Sequence, residues 1–252
     1  MRILLCGIAN TFFLVLLVAG SSSEEHVNAQ PLGKLVYNDF SIDVKKESAQ
    51  QVLQDFEKRL NILMSVAWEG DDDEGIDPTT PITLKLSNQP ALIILERITS
   101  QLNPEKGATW QLRHGTLEIG LKQQLASRGR QRLETHYIQD LLFTIRNFSA
   151  PELDTFTGTG GDNRTEPSQQ EEINRVIELI VKFVEPELWE QNNGPCSISN
   201  YKKTILIRAP DFVHRQINGY SFSARKPKDE RERRVLYSGD KTRIVIDKLP
   251  LR

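Results

Sequence analysis

Cys196 with His136 or His214 is the combination of residue types in this chain that could support covalent chemistry, because a thiol becomes a nucleophile when an imidazole takes its proton. No activating motif surrounds Cys196, so it reads as a small buried thiol in a strand. The acidic run 71–77 offers the clustered oxygens that a hard cation needs. It fails the EF-hand pattern: with Gly75 in the sixth position, Gly70 falls first and Pro81 twelfth. Gly158-Thr-Gly-Gly-Asp162 lacks the Lys-Ser/Thr of a phosphate-binding loop and follows no apolar strand. His114 sits in a hairpin turn and His26 near the amino terminus, neither with a second histidine or a cysteine three or four positions on. On this reading the chain has no catalytic, cofactor-binding or metal residues and is not an enzyme, with a thiol enzyme using Cys196 as the alternative.

The elements that would have to position such groups begin with a leader. Arg2 precedes an apolar stretch densest over residues 12–19, and Gly20 and Ser21 to Ser23 follow, the layout of a secretory signal peptide. Residues 1–29 are read as this segment, with cleavage after Gly20 or, with Val27 and Ala29 in the −3 and −1 positions, after Ala29. An uncleaved anchor would need roughly 20 apolar residues, and Asn10 and Thr11 interrupt the run. Cys6 precedes the apolar centre and is badly placed for lipidation, so the mature chain would retain one cysteine and no disulfide framework. Membrane contact is expected only through this segment before its removal, and the protein is expected to be periplasmic or secreted.

The chain of 252 residues is 38% hydrophobic and 26% charged, which is ordinary for a globular protein. Its net charge of −2 conceals an acidic stretch over 31–120 and a mildly basic one from 121 onward. The basic half has mixed signs and lacks the clustered patch that nucleic acid requires. No nucleic-acid partner is expected.

Periodicity divides the remainder into two units. In the first, residues 35–121, Phe40, Ile42 and Val44 alternate as in a half-buried strand. Ser48 stands as an N-cap before a helix whose Val52, Leu53, Phe56 and Leu60 form one stripe. Residues 62–68 and 82–86 read as strands, and Pro90 opens a helix carrying Ala91, Ile94, Leu95, Ile98 and Leu102. Two further strands, 109–112 and 116–121, flank Arg113-His-Gly. The polar span 122–132 reads as a linker that lets the two units fold separately.

The second unit, 133–225, starts with a strand at His136-Tyr-Ile, contains a flexible loop over 149–170 rich in Gly, Pro and Thr, and continues as a helix carrying Ile173, Val176, Ile177, Ile180 and Val184. Paired strands at 196–199 and 204–207 and a helix around Phe212, Val213 and Ile217 complete it. Residues 226–252 read as a charged linker and a possible hairpin, expected to cover an open edge of the second unit's sheet. The fold class is therefore α+β: two small β-α-β-β-α modules in tandem with a hairpin-like tail.

The pattern Phe40-Ser-Ile-Asp-Val, residues 49–60, Asn61-Ile-Leu-Met-Ser-Val and Ile82-Thr-Leu-Lys-Leu-Ser-Asn-Gln-Pro-Ala-Leu resembles the short STN domain at the amino terminus of secretins and TonB-dependent receptors. The second unit, entered by Tyr137, Asp140, Leu141 and Leu142, is similar to the ring-building N-domains that follow STN in secretins. The resemblance implies a periplasmic, non-enzymatic part in protein–protein contacts, with envelope proteins or copies of itself as partners, and it carries over no site residues. A secretin would continue into a long barrel-forming region, and with the sequence given ending at Arg252 this protein is not expected to form a pore itself. A sensor binding a peptide or small ligand between the units is the alternative within binding functions.

Overall fold

In a computed structural model the described residues are 21–69, 75–137, 169–220, 222–238 and 241–246. The apolar stretch up to Gly20, most of the acidic 71–77 run, Asp140 to Leu142 and residues 149–168 of the expected loop lie outside them. The fold is α+β, with small sheets and short helices. Among the described residues no helix is long and apolar enough to cross a membrane.

The first unit runs α1 (Ser21–Tyr37), β1 (Asp39–Ser48), α2 (Ala49–Leu60), β2 (Leu63–Val66), β3 (Pro81–Pro90), α3 (Ala91–Leu102), β4 (Ala108–Arg113) and β5 (Thr116–Leu121). Strands β1 and β3 form an antiparallel ribbon, and a second sheet has the order β2-β5-β4. Local chemistry explains the helices. The Ser48 hydroxyl accepts a hydrogen bond from Gln51 N–H at the start of α2, and Asn61 ends it in the left-handed conformation at φ 48°. Pro90 precedes α3, where a missing N–H leaves no donor unsatisfied. The stripes Val52, Leu53, Phe56, Leu60 and Ile94, Leu95, Ile98, Leu102 are buried in one core with Trp110, Leu117 and Ile119.

Helix α1 belongs to that core, although residues up to 29 read as leader. Leu32, Leu35 and Val36 are buried, and the Asn28 side chain accepts from Gly115 N–H at 2.7 Å. Gly115 and His114 have φ of 79° and 49°, the two-residue turn that matches strand twist in a hairpin. A Cβ on Gly115 would lie 2.6 Å from Val27 Cγ1, so the turn seats on α1.

The expected linker is instead ordered. Residues 122–132 form α4 (Lys122–Leu125), a 3₁₀ turn (Arg128–Arg130) and the start of β6 (Gln131–Tyr137), and Leu125 and Ala126 are buried in the second core. Polar composition misleads here because two small apolar anchors suffice to dock a short helix. After β6 come α5 (Gln169–Phe183), β7 (Ser197–Tyr201), β8 (Thr204–Pro210) and α6 (Asp211–Asn218). The sheet order is β6-β8-β7, antiparallel throughout. Ile173, Leu188, Trp189, Ile205, Ile207, Phe212 and Val213 fill the core.

The tail hairpin, β9 (Arg233–Ser238) and β10 (Lys241–Ile246), does not join the second unit's sheet but forms its own ribbon. Val235 and Ile244 pack on the first core with Tyr220, Phe222 and Ala224, and Arg233 reaches Asp39 and the Val36 carbonyl. One exposed edge is covered by side chains. Strand β4 is terminal in its sheet, and α6 reaches it twice: Asp211 accepts from Leu112 N–H at 3.4 Å and Arg215 donates to Trp110 O at 2.9 Å. Residues four apart on a helix meet groups two apart on a strand.

Candidate functional site

Strand β6 inverts the usual pattern. Arg132, Glu134 and His136 point inward, while Leu133 and Tyr137 on the other face are 59% and 64% exposed. Their inward cross-strand neighbours on β8 are Ala209, Ile207 and Ile205, all buried and apolar, so the polar groups of β6 must satisfy one another or α6.

They do so in part, through a chain of contacts. Arg132 pairs with Asp211 at 3.0 Å and with Glu134 Oε1. The other oxygen, Glu134 Oε2, lies 3.1 Å from His214 Nδ1 and 3.3 Å from His136 Nε2. His214 is fully buried on α6, and its Nε2 sits 3.2 Å from the Arg132 carbonyl. A carbonyl only accepts, so Nε2 carries the proton and Nδ1 faces Glu134. The two rings stack loosely, with centroids 6.3 Å apart and planes at 27°. Burial works to raise the Glu134 carboxyl, but the two imidazoles and the Arg132 guanidinium outweigh it and hold the group well below the usual carboxylate range.

The structure thus brings His136 and His214 together, with Glu134 and without Cys196. The thiol is buried beside Trp189, and burial followed by the Glu185 charge pushes it up to about 12. At neutral pH it is a core thiol and no nucleophile. Helical i+3 and i+4 spacing does not single out Glu134-Thr-His136. In a strand, i and i+2 share a face, and that was the available signal.

A second buried group ties the units together. Arg215 lies 3.7 Å above the Trp110 ring and 5.6 Å from that of Tyr237, while Glu96 accepts from Trp110 Nε1 at 2.9 Å and from Thr242 Oγ1 at 2.7 Å. Strand β4, α3, α6 and the tail hairpin all meet at this point.

The outward face of the β6-β8-β7 sheet is the third feature. Tyr137 and Tyr201 both stand opposite Thr204, so three adjacent strands carry them side by side, and they are 64% and 63% exposed. Compared with known proteins, the chain matches no family model, no curated protein and no solved structure.

Proposed function

We propose that the protein is an exported, non-enzymatic structural or adaptor unit that works by protein–protein assembly in the cell envelope, as the resemblance to STN and secretin N-domains implies. The observation that carries this reading is the outward sheet face, where Leu133, Tyr137 and Tyr201 are presented to solvent while Arg132, Glu134 and His136 of β6 turn inward. Exposed tyrosines are among the groups that anchor protein interfaces. The partner would lie on that face, a second copy or an envelope protein.

Sedimentation of the mature chain across concentration, with affinity capture from envelope fractions, tests it. Association should be lost in Leu133→Glu and Tyr201→Glu, whose thermal stability should stay close to that of the parent because both sites are exposed. Association that survives both substitutions overturns the assignment.

A second reading, capture of a peptide or small ligand between the units, rests on a groove of about 1150 Å³ lined by α3, α6 and the hairpin, including Glu96, Arg97, Gln216 and Tyr237. Saturable thermal stabilisation by short peptides, abolished by Gln216→Trp, would favour it over the sheet face.

A further inference from the structure

We propose that Glu134, His136 and His214 form a binding site for a divalent transition-metal cation, zinc foremost. The three residues each present one donor atom, and these atoms all lie within 4.8 Å of one another. Zinc bound by nitrogen and oxygen ligands at about 2.0–2.1 Å in a tetrahedron places neighbouring donors about 3.3 Å apart. The Glu134 Oε2 to His214 Nδ1 and His136 Nε2 separations, 3.1 and 3.3 Å, have that size.

Hydrogen bonding points the same way. Both His214 Nδ1 and His136 Nε2 are buried, and among the described residues neither has a hydrogen-bond partner. The carboxylate oxygen is close to each but lies off the direction in which a ring N–H would donate. Donor atoms that are close together but point off their mutual line are what the ligands of one shared tetrahedral cation look like, since each faces the metal and not its neighbour. His214 is held for this role by its other nitrogen, because Nε2 on the Arg132 carbonyl fixes the tautomer and leaves Nδ1 free to ligate.

The charges agree. Two carboxylates, Glu134 and Asp211, face one guanidinium, Arg132, leaving a net negative charge next to the donor set. Arg132 takes Glu134 Oε1 and orients Oε2 toward the imidazoles, the outer support that ligating carboxylates commonly have. Nitrogen-rich donor sets select zinc and its neighbours over calcium and magnesium, which need oxygen ligands. The Glu134 and His136 side chains are 22% and 17% exposed, so the cluster lies at the margin of the core. A cation here would staple α6 to the edge strand β6, and the site is independent of the adaptor reading.

The test uses the full mature chain with any affinity tag removed. Competition against a chromophoric zinc chelator should show one saturable equivalent of Zn²⁺, with Ca²⁺ and Mg²⁺ not competing, and Zn²⁺ should raise the melting temperature by mass action. Glu134→Gln and His136→Ala should each weaken binding by more than about 100-fold, beyond the loss typical of an outer support residue, while Cys196→Ser should leave it unchanged. Should either ligand variant fail to fold, the Co²⁺ spectrum and X-ray absorption of the unaltered chain still decide: two imidazoles and an oxygen without sulfur support the site. Absence of a saturable equivalent, binding indifferent to both substitutions, or a thiolate signature overturns it.

Discussion

Arg215 is a guanidinium buried to 4% exposure, and what solvates it is an aromatic face and a strand carbonyl. Removing the guanidinium leaves the Trp110 carbonyl buried without its donor, which costs about 1–3 kcal/mol, and forfeits a desolvated cation–π contact worth about 2 kcal/mol. Arg215→Met, which keeps the packing volume, should therefore lower stability in urea unfolding by about the sum of the two, and a change under about 1 kcal/mol would mean the aromatic box holds without the charge. Cys196 gives a chemical check on the second core: iodoacetamide should label it in denaturant and leave it unmodified in the native chain at neutral pH, as a thiol pushed up to about 12 requires. Glu134 sets an acid limit. Its folded value lies below the ordinary 4.5, so the stabilisation is present above that value and is lost as pH falls toward the folded one. The melting temperature should drop more steeply between about pH 5 and pH 3 in the parent than in Glu134→Gln, and equal slopes would remove Glu134 from the acid response. Residues of this kind are hard to find in a sequence because burial of a charge depends on partners far along the chain, such as Arg215 and Trp110, which only the fold brings together.

Among the elements, those with clean periods were legible. The stripes of α2 and α3, the alternation of β1 and the span of β5 follow from apolar spacing and from caps at Ser48 and Pro90. Strand β6 was not legible before His136, where the expected strand begins, because its inward positions are Arg132, Glu134 and His136, and a charged inner face has no apolar alternation to detect. Nor was α1, whose residues overlap the small-residue exit of a leader. That overlap can be tested. Ala29 O accepts from Arg225 N–H at 3.0 Å, and a Cβ on Gly33 would stand 2.4 Å from Arg225 O, so the chain after α6 crosses α1 at close quarters. Cleavage after Ala29 would remove Asn28 and the first half of the helix, whereas cleavage after Gly20 leaves α1 whole. If the chain is exported as proposed, intact mass should place the mature start at Ser21, and a start at Gln30 would contradict the role given to α1. Gly33→Ala should destabilise by about 1–3 kcal/mol, the usual effect of forcing a methyl group into a closed contact.

At the scale of the whole molecule the sequence expects two units joined by a polar linker, and the structure docks them at several places. Helix α6 is buried along most of its length, from Asp211 to Arg215. It completes the second core with Phe212 and Val213 while Asp211 and Arg215 cover the edge of β4 in the first unit. The tail then returns to the first core, where Arg233 donates to the Val36 carbonyl and pairs with Asp39. Contacts of this kind are paired and buried, unlike the sparse polar contacts of domains that move independently. Unfolding one unit would expose the charged side chains and the strand edge of the other, so the two should unfold together. Tryptophan placement makes this measurable, because Trp110 lies in the first core and Trp189 in the second. Urea transitions followed by fluorescence in Trp189→Phe report the first core through Trp110 and the half-buried Trp68, and those in a Trp68→Phe, Trp110→Phe double variant report the second. Each curve should share its midpoint with the circular-dichroism transition of the same variant, as a single cooperative unit demands. A fluorescence midpoint well separated from the circular-dichroism midpoint in either variant would show that the docking across α6 is too weak to couple the cores, and that the units fold separately.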